Sequence, residues 1–420
     1  MRVGAHTPYL VRNLQRQVSF FVRCTLASDP ETVAAGRIVG MTIDFSRSER
    51  STLGLEWELA LVDRASGELV PHAPRILPRL EHLNAEGDRV TKELLTNTVE
   101  IVTGVHHRVR DATLDLSTTI DLVRAEAEPL GADLMCAGTH PFSQWFQQEV
   151  TPDSERYETL IDRTRWWGRQ MMIWGVHAHV GIDDRRKVLP ILNALLTYVP
   201  HFQVLTASSP FWVGEATGYA SNRAMMFQQL PTAGLPPQFD EWSDYESMVD
   251  DMVHTGVIDD HSELRWDIRP SPKWGTLEVR VFDGISSVEE VGAVAALVQC
   301  LVDDFSERLD RGEELPRMQP WFVRENKWRA ARYGMEAIVI LDAAGDERLV
   351  TDDLADLLTA LEPAAERLDC VTELHGISDM VARGASYQRQ LSVAARNDGS
   401  LKAVVASLVA ELRDGLPALA

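Results

Sequence analysis

Cysteine is scarce in this chain. Four residues (Cys24, Cys136, Cys300, Cys370) are scattered over 420 positions with no C-x-x-C pair. That excludes a disulfide scaffold or a zinc knuckle and fits a reducing cytoplasm. Positive charge is also short: 41 Lys and Arg stand against 63 Asp and Glu, a formal charge of -22. Such a balance excludes general nucleic-acid binding or attachment to an anionic membrane surface. No apolar run approaches the roughly 18 residues that a membrane helix needs. Neither a P-loop nor a G-x-G-x-x-G stretch is present, so any nucleotide site has to be centred on metal ions.

What remains is ordinary for a chain with a real core: 45% hydrophobic and 25% charged residues. The first forty residues differ from the rest. Arg2, Arg12, Arg16 and Arg23 precede the first acid, Asp29, without the apolar core of a secretory signal. Met41 then opens a segment that reads as a protein start. The expected organisation is a poorly ordered extension over 1–48 and a single elaborated catalytic domain over 49–420.

Periodicity predicts an α+β chain. Strands are expected at residues 52–65, in LMCAGTHPF, in IWGVHAHVGID and at 276–283; helices are expected at 110–130, 155–172, 186–206, 351–369 and 397–415. One long helix is predicted to run from a Ser286 or Ser287 cap to Gly312. Residues 207–245, rich in Gly, Pro and Ser, read as ordered loops over a site.

Three strands carry the chemistry. Side chains at i and i+2 share a face. In TLGLEWELAL, Leu53, Leu55, Trp57, Leu59 and Leu61 oppose Gly54, Glu56, Glu58 and Ala60. In IWGVHAHVGI the apolar face opposes Gly175, His177, His179 and Gly181, and in TLEVRVFD it opposes Thr276, Glu278 and Arg280. A solvated outer face explains one such strand well enough. Three strands with charges flanked by glycine and alanine favour a shared, charge-lined cavity. Clustered carboxylates raise one another's pKa and need compensation. Divalent cations supply it, and oxygen-rich ligation suits Mg²⁺ or Mn²⁺ better than zinc. His177-x-His179 lacks the H-E-x-x-H helix of zinc hydrolases. A second group is basic: Arg223, Arg269 and Arg280, with Arg324, Lys327, Arg329 and Arg332 in RENKWRAARYG. These suit forked binding of phosphate and carboxylate, although Arg324 and Arg329 suit an ordinary basic helix face equally well.

At these residues the chain resembles the carboxylate–amine ligase family called glutamate–cysteine ligase type 2, with the look of its actinobacterial members. The matching segments are TLGLEWELALVD, ELLTNTVEIVTG, CAGTHPF, WGRQMMIWGVHAHVGI, GYASNRAMMFQQLPTAGLP, RWDIRPSPKWGTLEVRVFDG and RENKWRAARYG, with ASYQRQ near the C-terminus. The resemblance implies a glutamine-synthetase-like fold, an antiparallel sheet funnel with helices packed on its outer face. It implies Mg²⁺ or Mn²⁺ as cofactor and ATP as co-substrate. Glu56, Glu58, Glu100, His177 and Glu278 are the implied metal ligands, and Arg280 and Arg332 the implied catalytic, phosphate-facing groups. Arg223, Arg269, Asn222, Lys327 and His140 are the implied substrate and nucleotide contacts. Many relatives have three consecutive acids where this chain has Glu56-Trp57-Glu58. Trp57 belongs to the apolar face, so no ligand is lost.

The implied reaction joins a carboxylate to an amine through an acyl phosphate, with L-glutamate and L-cysteine as the pair that the family name suggests. Ligation of another pair, a metal-dependent hydrolase on the same carboxylates, and a non-catalytic binding protein are the alternatives. Small molecules are the expected partners, with no nucleic acid and no membrane, and a homo-oligomer suits the fold.

Overall fold

The computed structural model describes residues 41–416. The reading of residues 1–40 as an extension therefore lies outside the described residues. Within the unit that begins at Ile43, the chain joins the body before residue 49. Ile43 is buried, its N–H donates to Glu246 Oε1 at 2.8 Å, and Phe45 packs edge-on against Trp242.

The frame is one antiparallel sheet. In chain order its strands are β1 (Leu53–Asp63), β2 (Val90–Lys92), β3 (Thr98–Val102), β4 (Ala132–Met135) and β5 (Gly175–Gly181). The short hairpin strands β6 (Phe211–Trp212) and β7 (Glu215–Ala216) stand apart, and β8 (Ile268–Ser271) and β9 (Thr276–Asp283) complete the sheet. The spatial order is β2-β3-β1-β5-β9-β8, with β4 on the far end of β1. The predicted alternation in β1 is realised. Leu53, Leu55, Trp57, Leu59 and Leu61 are each at most 1% exposed, and each buried leucine contributes roughly 1.5–3 kcal/mol. Trp57 packs behind the sheet, its indole N–H pointing to Cys136 Sγ at 3.1 Å. The apolar face is covered by helices Val109–Ala127 and Val288–Asp310, which share one core with β1, β5 and β9.

The long helix opens after Ser287, as expected, but no side chain caps it; Ser287 Oγ turns instead to Glu289. Three other expectations are corrected. The helix over 155–172 breaks into Glu155–Thr164 and Trp166–Arg169, because Arg165 adopts φ 53. The one over 186–206 is Arg185–Leu195 and Val199–Thr206 joined by a single tight turn, since Pro200 donates no backbone hydrogen bond. Together these two form the only described stretch long and apolar enough to span a membrane, and its most apolar 18-residue window is 89% buried inside the fold. Residues 207–245 are less loop-like than read: they include the β6–β7 hairpin, helix Asn222–Phe227 and the start of helix Trp242–His254. The Thr351-Asp352-Asp353 run lies in the first turn of Val350–Leu368, beginning two residues after the Leu349 cap. Cys136, Cys300 and Cys370 are free and buried.

Candidate active site

The sheet register brings the charged positions together. Glu56 pairs across β1–β5 with His177, and Glu58 pairs across β1–β3 with Glu100. On the other side His179 faces Glu278, which in turn faces Arg269 on β8. A bulge between Val176 and Ala178 disturbs the β5–β9 ladder beside His177, the kind of irregularity that re-aims side chains next to a site.

Two clusters result. In the first, donor atoms of Glu56, His177 and Glu278 lie within 4.8 Å of one another. His177 Nδ1 is 2.7 Å from Glu56 Oε2, and His179 Nε2 is 3.1 Å from Glu56 Oε1. Glu278 is 1% exposed and paired with both Arg269, at 2.6 Å, and Arg280. Burial pushes the Glu278 carboxyl up, but Arg269 and Arg280 hold it well below the usual carboxylate range. Burial and Arg280 pull His177 down to about 4, so it is neutral and able to ligate.

The second cluster is Glu58, Glu93 and Glu100, again within 4.8 Å. Here compensation is thin. Burial, then Glu93, pushes Glu58 up to about 7. Burial, then the neighbouring acids Glu93, Glu56 and Glu58, lifts Glu100 well above its ordinary value, and burial lifts Glu93. Three carboxylates converging without a cation among them form a set that fits a hard divalent ion; all-oxygen donors suit Mg²⁺ or Mn²⁺. The first cluster, two carboxylates and a neutral imidazole, fits such an ion as well.

Guanidinium groups surround the same clusters. Burial and the charges of Arg156, Arg280 and Arg269 pull Arg265 down to about 10. Arg223 is 4% exposed and lies against Gly175, whose N–H donates to Glu58 Oε2 at 2.6 Å.

Other predicted residues lie elsewhere. Arg332 donates to the Gly218 carbonyl and sits against the rings of Tyr219 and Tyr333 at 5.7 and 5.1 Å. Its contacts brace a loop, and it is hydrogen-bonded or ion-paired to none of the carboxylates of the two clusters. His140 is fully buried: Nε2 faces the Gly67 carbonyl, and Nδ1 accepts from the Phe142 and Ser143 N–H groups. Its ring shapes a turn. Lys327 is buried in an ion pair with Asp267 Oδ2 at 2.5 Å. Asn222 opens helix Asn222–Phe227, its N–H on the Ser209 carbonyl. A cavity of about 830 Å³ beside helix Pro320–Tyr333 is lined by Trp321, Arg324, Lys327, Trp328, Met225 and Gln228. No carboxylate of the two clusters borders this annex to the site.

Sequence reasoning missed Glu93. The Glu93-x6-Glu100 spacing inside ELLTNTVE was the available signal, but the turn between β2 and β3 hides it from strand periodicity. Arg265 and Arg156 had no signal of spacing at all.

The pattern of glutamate–cysteine ligase family 2 matches residues 52–407. The chain belongs to glutamate–cysteine ligase family 2. This family member is 67% identical over 376 residues to a protein of Clavibacter michiganensis provisionally named glutamate–cysteine ligase 2, covering 90% of this chain and 98% of the relative. A Leifsonia xyli protein with the same provisional name is 60% identical over 375 residues, covering 89% and 99%. Among solved structures, the glutamate–cysteine ligase of Francisella tularensis in complex with AMP superposes with a TM-score of 0.62 at 13% identity, covering 88% of this chain and 93% of that one. The bifunctional glutathione synthetase of Pasteurella multocida gives 0.62 at 16% identity, covering 86% of this chain and 52% of that one. These likenesses establish the fold. The glutamine-synthetase-like antiparallel sheet with helices on one face is the architecture expected for the family member, and the one found.

Proposed function

We propose that the chain is an ATP-dependent carboxylate–amine ligase that makes an amide through an acyl phosphate, with L-glutamate and L-cysteine as its substrate pair. The observation that carries this reading is the pair of acidic clusters on one sheet face, walled by arginines. Two adjoining acidic sets beside several guanidiniums are an arrangement for handling a polyphosphate, in which charge is redistributed and no protein nucleophile is needed. Family membership supports the ligase class, and the names of the Clavibacter and Leifsonia relatives support the substrate pair.

Glu56, His177 and Glu278, with Glu58, Glu93 and Glu100, would hold Mg²⁺ or Mn²⁺, which when bound neutralises phosphoryl oxygens and polarises the bond being broken. The remaining work falls to the protein. Glu278 holds Arg269 and Arg280 at the cleft wall, so that both guanidiniums face charge developing on the transferred group. His177, neutral at working pH, competes for no proton. The annex cavity, with Trp321, Trp328 and Arg324, suits the nucleoside end of ATP. The carboxylate oxygen displaces ADP from the γ-phosphorus, and the amine nitrogen then displaces phosphate from the acyl carbon. Exclusion of water protects that intermediate.

The test is ADP release from Mg-ATP with L-glutamate, with and without L-cysteine, followed by mass spectrometry. Cysteine-dependent ADP and γ-glutamylcysteine would support both class and substrates. Glutamate-dependent ADP without that product would keep the class and discard the pair. No nucleotide turnover with a broad amino-acid panel would sink the proposal.

A further inference from the structure

Arg223 combines deep burial with an uncommitted head group. Among the described residues its guanidinium has no hydrogen-bonded or ion-paired partner, and its Nε is buried without one. The Phe227 ring lies 5.5 Å from the guanidinium carbon, the Gly175 backbone lies against its Nη2 end, and the Glu58 and Asp283 carboxylates act on it through charge alone. A buried cation left in this state is costly unless something arrives to pair with it.

Its placement is nevertheless tightly defined. Asp283, the last residue of β9, is fully buried and faces Gly175 across the β5–β9 ladder. Gly175 is the residue whose missing side chain seats the Arg223 guanidinium. One oxygen of Asp283 accepts from Ser209 Oγ at 2.7 Å and from the Ser208 N–H at 3.1 Å. The other accepts from Ser221 Oγ at 2.8 Å. Each serine oxygen then accepts from the backbone around Arg223: Ser209 Oγ from the Arg223 N–H at 3.0 Å, and Ser221 Oγ from the Ala224 N–H at 3.2 Å. Gly138 completes the seat, since a Cβ there would come within 2.6 Å of Asp283 Oδ2. Asp283 thus grips both flanks of the Arg223 backbone through two hydroxyls, and it meets the guanidinium through charge alone, with no hydrogen bond between them.

We propose that Asp283, acting through Ser209 and Ser221, is the positioning residue for Arg223, whose contact with a substrate oxyanion the family resemblance already implies. Arginine offers a planar fork of donors matched to a carboxylate or a phosphoryl group. The fork is useful only if the guanidinium plane is held, and the Asp283–serine bridge holds the backbone from which it extends. The inference deepens the ligase reading and rests on it for the identity of the substrate; the oxyanion site itself is testable without turnover.

The experiment is calorimetric titration of the full chain in Mg²⁺ with inorganic phosphate and, separately, L-glutamate. It compares wild type, Arg223→Lys, Asp283→Asn and the double variant, with circular dichroism and Tm for each. Charge-assisted hydrogen bonds of this kind correspond to about a ten- to hundredfold change in affinity. Each single variant is expected to lose that much for one of the anions, and the double variant no more than Arg223→Lys alone. The affected arm identifies the oxyanion, phosphate meaning the transferred group and glutamate the substrate carboxylate. Multiplying losses in the double variant would overturn the proposal, because independent effects add in free energy. So would unchanged affinity in Asp283→Asn, or a wild type that binds neither anion. Should Asp283→Asn fail to fold, Ser209→Ala and Ser221→Ala enter the same cycle, each breaking one link. A wild type that binds anion through this coupled pair yet releases no ADP would sink the ligase reading and leave the positioning role standing.

Discussion

Alanine at position 175 is the sharpest single perturbation of this site. The added methyl carbon would fall 2.3 Å from Arg223 Nη2, 2.9 Å from its Cζ and 3.0 Å from the Phe282 carbonyl oxygen. Ordinary contacts between carbons lie at about 3.5–4.0 Å, so the guanidinium has to retreat by roughly an ångström; the Phe282 carbonyl belongs to β9 and is less free to yield. The strand conformation is no obstacle, since Gly175 is not among the glycines with positive φ, and alanine in a strand is worth roughly 0.5–1 kcal/mol over glycine. Overpacking costs about 1–3 kcal/mol. The net expectation is a loss of about 0.5–2 kcal/mol, a Tm shift of a few degrees at most. The functional loss should be far larger, because an ångström of misplacement at a binding group costs about a hundredfold in rate. Thermal unfolding and ADP release on the same preparations measure both. Gly54 and Gly181, which flank the same charged faces, are the controls. A Cβ at Gly54 meets only His179 Cβ at 3.8 Å, so Gly54→Ala should leave Tm level or slightly raised. One at Gly181 meets the Glu49 carbonyl at 2.3 Å and Thr52 Oγ1 at 2.2 Å, so Gly181→Ala should destabilise without displacing Arg223. Wild-type turnover in Gly175→Ala would refute the placement of Arg223 in the site.

Three further outcomes are expected. Glu278→Gln and Glu58→Gln should both lose activity by at least about a hundredfold but move stability in opposite directions without divalent ions. Glu278→Gln leaves Arg269 and Arg280 without their buried partner and should cost about 3–5 kcal/mol, whereas Glu58→Gln relieves repulsion with Glu93 and Glu100 and should raise Tm; equal shifts would contradict the charge assignment. The pH dependence follows from the same cluster. Glu58, Glu93 and Glu100 have raised values in the folded protein, so the folded state holds extra protons and loses stability as pH rises from the ordinary carboxylate range through about 7 for Glu58; melting in chelator should show this fall, Mg²⁺ should flatten it, and a chelated protein insensitive to pH over that window would be evidence against the cluster. Far from the site, Arg389 bridges Glu290, at 2.9 Å, and Glu411, at 3.1 Å. Arg389→Met should cost about 3–5 kcal/mol in denaturant unfolding and leave turnover per folded molecule unchanged, with Glu411→Gln recovering part of the loss.

The sequence by itself determined three strands, β1, β5 and β9, and what each face of them carries, whereas β2, β3 and β8 were not legible in it and the strand read in LMCAGTHPF is the shorter, earlier Ala132–Met135. Alternation of two is a local property, so Glu56, Glu58, His177, Glu278 and Arg280 could be assigned to charged faces, and Leu53 to Leu61 to the covered face, before any pairing was known. The long helix from Val288 was legible for the same reason, its apolar positions being close in sequence. Only the tertiary structure decided which charges meet. Glu93 lies in a turn with no periodicity to mark it, and it joins Glu58 and Glu100 because β2 and β3 fold back beside β1. Arg332, His140 and Arg223 are all site residues that the family resemblance implies, yet the first braces a loop, the second caps a turn, and the third has no hydrogen-bonded partner and lies against Gly175. Those outcomes depend on contacts between residues tens of positions apart: Asp283 with Ser209 and Ser221, and Gly175 with Arg223. A residue's chemistry is written in the chain, but its partners are set by strand register and by the space that glycines leave, and both exist only once the sheet has formed.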